Sequence, residues 1–328
     1  MEERELGGTG VAVSRIVLGL GNVGGIGSAP ELFGIAGESE EEALALMDAA
    51  WEAGVTTFDT AASYGGGRSE RAIGAWLSSR HRPAVVATKV FNPVDGDPRD
   101  FGLAPDRIRR ELAASLARLG LDRVDLYLIH EPDPAVPLAE TLEALDELVR
   151  AGTVGAVGAS NVDGAYLEEA LAISRGRGLA RFEWVQNSYS LLDRAPERDV
   201  LPICRREGLG FTPFSPLAGG WLTLKYRRGE PYPDGSRMIL RPGPYAAFET
   251  DEMFDALEAF GAEARARGVE PAALALAWVL SHPMVTAVVV GPRRPSHLEP
   301  ALAAVDLELS AGERDELAGI FSVADVRR

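Results

Sequence analysis

Four residues able to move a proton at a carbonyl stand at the ends of three consecutive β-rich runs and in the loop after the first. Asp59 ends Val55–Asp59, and Tyr64 follows it in Ala62-Ser63-Tyr64-Gly65-Gly66-Gly67. Lys89 ends Ala84–Lys89, and His130 ends Val124–His130. A tyrosine with its ordinary pKa near ~10 is a poor acid at neutral pH. A nearby ammonium stabilises the phenolate and lowers that pKa, and a carboxylate keeps the ammonium charged and oriented. An imidazole can donate a hydrogen bond to an oxygen on which charge develops. Together they suit delivery of a proton to a carbonyl oxygen while a hydride arrives at carbon. Each residue alone has a blander reading: Asp59 as a helix cap, Lys89 as a solvated charge, His130 as a satisfied core residue. Their joint placement at three strand ends and one adjoining loop favours chemistry.

The elements that must position them alternate along the chain. Strands are predicted at Ile16–Leu20, Val55–Asp59, Ala84–Lys89, Val124–His130, Val154–Ser160, Phe182–Gln186, Gly210–Phe214 and Val285–Val290. Several are continuous apolar runs, as expected for strands covered on both faces. Amphipathic helices fill the gaps. Ser39-Glu40-Glu41-Glu42 is a capping box and Gly54 a natural C′ residue. Pro105 opens and Gly120 closes a helix carrying Ile108, Leu112, Leu116 and Leu119 on one face. Leu138, Leu142, Leu145 and Val149 repeat the pattern before Gly152. Eight such units predict an α/β fold, a (β/α)8 TIM barrel spanning residues 1–328 as one domain, with an open doubly wound sheet as the alternative.

Barrels carry their reactive groups at the carboxyl ends of the strands. The later ends offer Ser160-Asn161, Gln186, Ser215 and Gly291-Pro292-Arg293-Arg294. Between strands seven and eight, residues 226–247 are rich in proline and glycine and lack periodicity. Such a loop reads as an active-face lid, the alternative being a solvated insertion. Gly19-Leu20-Gly21-Asn22-Val23-Gly24 matches the dinucleotide-binding G-x-G-x-x-G pattern. We reject that reading. Gly25, Gly27 and Pro30 delay the helix to about Ser39, and the acid at the next strand end, Asp59, is too far along.

The segments Phe58-Asp59-Thr60-Ala61, Tyr64-Gly65, Ser69-Glu70, Thr88-Lys89 and Leu128-Ile129-His130 resemble the Asp, Tyr, Lys, His tetrad of the aldo-keto reductases. Gly158-Ala159-Ser160-Asn161, Val185-Gln186-Asn187-Ser188-Tyr189, Ser215 to Gly220 and Gly291 to Glu299 resemble that family's cofactor segments, in order. The similarity covers nearly the whole chain and points to the bacterial branch that also resembles potassium-channel β subunits. It implies a (β/α)8 barrel binding NADPH or NADP+ without a Rossmann domain. It implies Tyr64 as general acid, lowered by Lys89, with Asp59 pairing Lys89 and His130 orienting the carbonyl. Ser160, Asn161 and Gln186 are expected to hold the nicotinamide amide, and Tyr189 to stack on its ring. Ser215, Leu217, Gly219 and Lys225 are expected along the pyrophosphate. Gly291, Arg293, Arg294 and His297 are expected at the adenosine end, the arginines meeting the 2′-phosphate. The chain departs from the family at His297, where glutamine is common, at Pro300-Ala301, where Glu-Asn is common, and at Leu224, where glycine often precedes the lysine.

Composition narrows the alternatives. Lys and Arg number 33 and Asp and Glu 49, so the net charge is 33 − 49 = −16. Such a chain is a poor non-specific binder of nucleic acid or anionic membrane, and neither is expected as a partner. One cysteine, Cys204, excludes an internal disulfide and a thiolate cage, which fits a reducing, cytoplasmic setting. The charged start without an apolar run predicts no signal peptide, and no run reaches membrane-spanning length. His81, His130, His282 and His297 are scattered without metal-ligand spacing, so no metal is expected. A glycoside hydrolase needs two carboxylates across the site, and the strand-seven end, Phe214-Ser215-Pro216-Leu217, provides none. A cofactor-sensing subunit on the same fold remains the alternative to an enzyme. The expected partner is a small carbonyl compound, with Asn22, Phe33, Phe91, Trp221 and Tyr245 as candidate pocket walls. A monomer or small homo-oligomer is expected.

Overall fold

The computed structural model describes residues 1–97 and 99–321. Pro98 and residues 322–328, part of the expected 1–328 domain, lie outside the described residues. A short hairpin, β1 (Glu3–Glu5) and β2 (Ala12–Ser14), opens the chain. Eight parallel strands follow: β3 (Ile16–Gly19), β4 (Thr57–Asp59), β5 (Val85–Val90), β6 (Val124–Ile129), β7 (Val154–Ser160), β8 (Trp184–Gln186), β9 (Gly210–Phe211) and β10 (Val288–Val290). Their order is β10-β3-β4-β5-β6-β7-β8-β9. Two backbone hydrogen bonds, Thr286 N to Phe211 O and Val289 N to Pro213 O, both 2.9 Å, join the outer strands. Arg15 reinforces the seam by donating to the carbonyls of Leu280, Val285 and Thr286 at 2.6–2.8 Å. The (β/α)8 architecture is thus the observed one.

Helices α1 (Glu40–Glu52), α2 (Arg68–Arg80), α3 (Pro105–Leu119), α4 (Leu138–Arg150), α5 (Gly164–Arg177) and α6 (Val200–Glu207) follow β3 to β8 in turn. The boundary signals hold. Ser39 and Glu42 make both halves of the capping box, and Gly120 caps α3. The helices bury one face against the strands; on α2, Trp76 packs edge-on to Phe58 at 4.9 Å. The barrel interior is a separate apolar layer: Val17, Ala87, Leu126, Leu128, Trp184 and Val289, with Leu6 and Val13 of the hairpin plugging the amino-terminal end. Trp184 fits because its neighbour is Gly158. A Cβ there would lie 2.7 Å from the indole.

After β9 the chain makes a 3₁₀ segment (Ala218–Thr223), the single-turn helix α7 (Arg237–Leu240) and another 3₁₀ turn (Ala246–Phe248). Then come α8 (Asp251–Ala266) and α9 (Pro271–Leu280), and past β10 α10 (Glu299–Val305) and α11 (Ala311–Ile320). The expected lid crosses the carboxyl end of the barrel. Arg237 donates to the Asn22 amide oxygen, and the Tyr245 hydroxyl lies 3.3 Å from Ser215 Oγ.

Candidate active site

Strand register brings the predicted tetrad together. Pairing of Asp59 with Ala87, and of Lys89 with Leu128, places β4, β5 and β6 side by side with their carboxyl ends level. Lys89 is buried, and its Nζ donates to Asp59 Oδ1 at 2.6 Å and to the Thr60 carbonyl at 2.8 Å. The ammonium lies 5.1 Å from the centroid of the Tyr64 ring. Tyr64 Oη stands 3.4 Å from His130 Nε2, and the two rings meet edge-to-face. The Tyr64 loop must run close under the first loop. Gly65 has φ +57, and a Cβ on it would lie 2.2 Å from the Val23 carbonyl oxygen, so only glycine fits.

Electrostatics corrects one expectation. Burial raises the Tyr64 hydroxyl above its ordinary value, and Lys89 offsets this only in part, so the net direction is up rather than down. Burial and the Lys89 and Arg241 charges hold His130 well below the usual histidine range, so its ring is neutral at physiological pH. Lys89 is raised despite its burial because Asp59 faces it. A protonated phenol, a neutral imidazole and a charged lysine therefore coexist at one mouth.

The cofactor candidates divide. Asn161 is exposed in a left-handed conformation, φ +56, and donates to the His130 carbonyl at 3.0 Å. Ser160 is buried and its hydroxyl donates to the Gln186 carbonyl. Gln186 has a use that sequence reasoning missed: its Nε2 donates to Asp59 Oδ2 at 2.8 Å, so it holds the carboxylate from the side opposite Lys89. Tyr189 requires correction. It is fully buried outside the barrel wall, 5.2 Å from Trp278 and with its hydroxyl on Glu197, and offers no face to a ligand. The aromatic ring that is half-buried at the top of the interior layer is Phe214, immediately before Ser215. Its position at a strand end was the available signal.

Ser215 (φ +55), Ala218 (+47), Gly219 (+66), Gly220 (+102) and Leu224 (+60) form a run of left-handed turns around Leu217. Such alternation aims backbone N–H groups into a concavity suited to anions. Leucine here adopts the conformation for which the family often uses glycine. Strained non-glycine residues of this kind concentrate at ligand sites. Burial and then the charges of Arg294, Lys225 and Arg293 lower the His297 pKa, so three cations act on this end of the site. Arg293 is committed: its Nε donates to Glu38 at 2.6 Å and its Nη1 to the Gly235 carbonyl at 3.0 Å. Arg294 has no side-chain partner among the described residues. The Gly291 carbonyl accepts from Asn22 Nδ2 at 3.3 Å.

Of the expected pocket walls, Phe33 packs on Gly25 and Gly66 beside Tyr64, and Phe91, directly after β5, meets Phe101 edge-to-face. Trp221 is corrected: it is fully buried among Tyr226, Phe248 and Phe254. Asn22 is a latch between loops, and Tyr245 covers Gly219 and Ser215 rather than the tetrad. Among the described residues no His, Cys, Asp or Glu cluster could hold a metal, and no helix is long and apolar enough to cross a membrane.

Comparison with known proteins agrees with this geometry. The model of the Aldo/keto reductase family matches residues 15–321. The chain is 37% identical to "Uncharacterized oxidoreductase YrpG" of Bacillus subtilis, over 94% of this chain and 92% of that protein. It is 32% identical to the NADH-specific methylglyoxal reductase of Escherichia coli, over 94% of this chain and 95% of that one. It is 33% identical to a putative voltage-gated potassium channel subunit beta of Schizosaccharomyces pombe, over 84% and 82% of the two chains. A parallel barrel, a buried Asp–Lys pair under a tyrosine and a histidine, and a family match across nearly the whole chain leave one conclusion: the chain belongs to the aldo/keto reductase family of nicotinamide-dependent oxidoreductases.

Proposed function

We propose that the protein reduces an aldehyde or ketone to an alcohol with NADP(H), Tyr64 delivering the proton. One observation carries the reading: Tyr64 Oη and His130 Nε2 stand 3.4 Å apart above the buried Lys89–Asp59 pair. A carbonyl oxygen seated against both atoms receives a hydrogen bond from each. The bound nicotinamide supplies the hydride to the carbonyl carbon. Tyr64 passes its proton to the oxygen, and the Lys89 ammonium stabilises the phenolate left behind. Asp59 keeps Lys89 charged, and Gln186 fixes Asp59.

Asn161 and Phe214 would hold the nicotinamide, the 215–224 turns and Lys225 would hold the pyrophosphate, and Arg294 with His297 would hold the 2′-phosphate. The convergence of three cations in a chain of net −16 supports NADP(H) over NAD(H). Absorbance at 340 nm tests the reading. NADPH should be consumed with reactive aldehydes such as methylglyoxal and 4-nitrobenzaldehyde. Tyr64→Phe should lower turnover by at least ~10²-fold, the scale of general-acid loss, with NADPH affinity nearly unchanged. Near-normal turnover in that variant overturns the assignment.

A further inference from the structure

The cations around the mouth fall into two groups. The charges of Arg294, Lys225 and Arg293 all act on His297 at the outer end. Arg241 stands apart from that group. It lies one helical turn after Arg237, its backbone N–H donating to the Arg237 carbonyl at 2.8 Å, so both guanidiniums leave the lid on the side facing the first loop. Arg237 is held there by Asn22. The Arg241 guanidinium reaches Gly27, where a Cβ would lie 3.0 Å from its Nη1. The Gly27 carbonyl in turn accepts from Gly65 N at 3.2 Å, the residue after Tyr64. The Arg241 charge is felt at both Tyr64 and His130.

Like Arg294 at the outer end, Arg241 lacks a neutralising partner among the described residues, and it lies against Gly27 of the first loop, which in turn holds the residue after Tyr64. Among the described residues Arg241 has no side-chain hydrogen bond or ion pair, although Asp and Glu outnumber Lys and Arg by 49 to 33. Two carboxylates of the mouth are already engaged. Glu38 is paired with Arg293, and Asp59 with Lys89 and Gln186. Phe33, against Gly25 and Gly66 beside the Tyr64 loop, and Phe91, directly after β5, add apolar rings to the rim. An uncompensated guanidinium beside an apolar rim and two proton-handling groups is suited to an anion on the molecule being reduced.

We propose that Arg241 forms an anion subsite beside Tyr64 and His130, so that the preferred substrates are carbonyl compounds carrying a carboxylate or phosphate. The proposal rests on the carbonyl-reductase reading above and adds the substrate class to it. Neutral aldehydes then react as poorer substrates, lacking the contact that seats the carbonyl.

Matched substrate pairs test this. One pair is 4-carboxybenzaldehyde and its methyl ester; the other is glyceraldehyde 3-phosphate and glyceraldehyde. The readout is the ratio of kcat/KM for the anionic member to that for the neutral member. This ratio cancels any general effect of Arg241 on Tyr64 or His130. Arg241→Met should lower the ratio about tenfold or more in at least one pair, as expected for a lost charge-assisted hydrogen bond. Arg241→Lys should restore part of it. The pair that loses more identifies carboxylate or phosphate as the favoured anion. An unchanged ratio in both pairs overturns the proposal. If wild type turns over none of the four, the reductase reading fails by itself, and the subsite is decided by calorimetric titration of benzoate and benzamide with NADP+ at saturation. Benzoate must then bind more tightly than benzamide in wild type and lose that advantage in Arg241→Met; equal binding overturns the subsite.

Discussion

Lys89 acts on its two neighbours in one electrostatic sense, favouring the phenolate of Tyr64 and the neutral ring of His130. The proposed reduction needs Tyr64 protonated and His130 neutral. With Tyr64 raised and His130 lowered, kcat/KM for reduction should be nearly flat over roughly pH 6.5–9. Burial is the main cause of the low His130 pKa, with Lys89 next and Arg241 after it, so replacing Lys89 by Met removes one contribution: the pKa rises in part and the acid limb moves to higher pH, while the rate collapses. That change strands Asp59 as a buried charge. The double variant Asp59→Asn with Lys89→Met separates folding from chemistry. A pH–rate profile of the double variant that kept the wild-type acid limb would exclude this coupling. At this scale the tetrad was legible because its members sit at strand ends that periodicity locates. Gln186 and Phe214 were assigned to other tasks or missed because a strand-end residue can face the interior, the mouth or the wall, and one-dimensional spacing does not choose among them.

The loop after β9 and the loop after β3 work as a pair. Arg237 on Asn22, Arg293 on Glu38 and Gly235, and Tyr245 on Ser215 bind the lid down across the barrel mouth. Arg293 is therefore engaged in the latch, and the proposed reading gives the phosphate to Arg294. The two arginines should behave differently. Arg294→Ala should weaken NADPH by about 1.5–3 kcal/mol, the scale of hydrogen bonds to charged groups, and leave NADH nearly unaffected. Arg293→Ala should weaken both cofactors alike, because it frees the lid from Glu38. Calorimetric titration of each cofactor against both variants checks this; selective loss of NADPH in Arg293→Ala alone would reverse the two roles. The sequence marked residues 226–247 as a lid by composition, but it held no sign of which side chains fasten it. Arg293 and Glu38 are 255 residues apart.

The two ends of the barrel have separate duties. Chemistry lies at the carboxyl end, while the hairpin plug and the Arg15 seam close the amino end. Stability has its own titrating contact away from the mouth, where burial, Arg314 and Arg205 lower His282 to about 4. An unfolded histidine takes a proton near its ordinary value of ~6.5. Between that value and about 4 the unfolded chain binds the proton and the folded chain does not, so stability falls as pH falls through this window. His282→Gln should flatten the decline of Tm between pH 6.5 and 4 relative to wild type, as melting curves by circular dichroism would report. An equal decline in the variant would place the acid sensitivity elsewhere. Cys204, buried and raised to about 12, contributes no reactive thiol at neutral pH.

The alternation of strands and helices, the carboxyl ends of β4, β7, β8 and β10, and the boundaries of α1, α3 and α4 were determined by the sequence alone, while β3, β6 and β9 stop short of the expected Leu20, His130 and Phe214 and β5 runs one residue past Lys89. Alternating apolar runs, the Ser39–Glu42 capping box and glycines such as Gly120 act over a few residues and need no partner from elsewhere. From this the barrel and the Asp59, Tyr64, Lys89, His130 set followed. Only the tertiary structure decided which way each side chain faces and what it touches. Tyr189 and Trp221 turned out to be core, because aromatic rings near a functional segment are equally suited to a wall packed against outer helices. The direction of the Tyr64 shift depended on burial outweighing a nearby ammonium, a balance set by the loops that fold over it. The charge left unpaired at Arg241 depended on which carboxylates the rest of the chain had already engaged. Those are long-range contacts, and local sequence pattern carries no record of them.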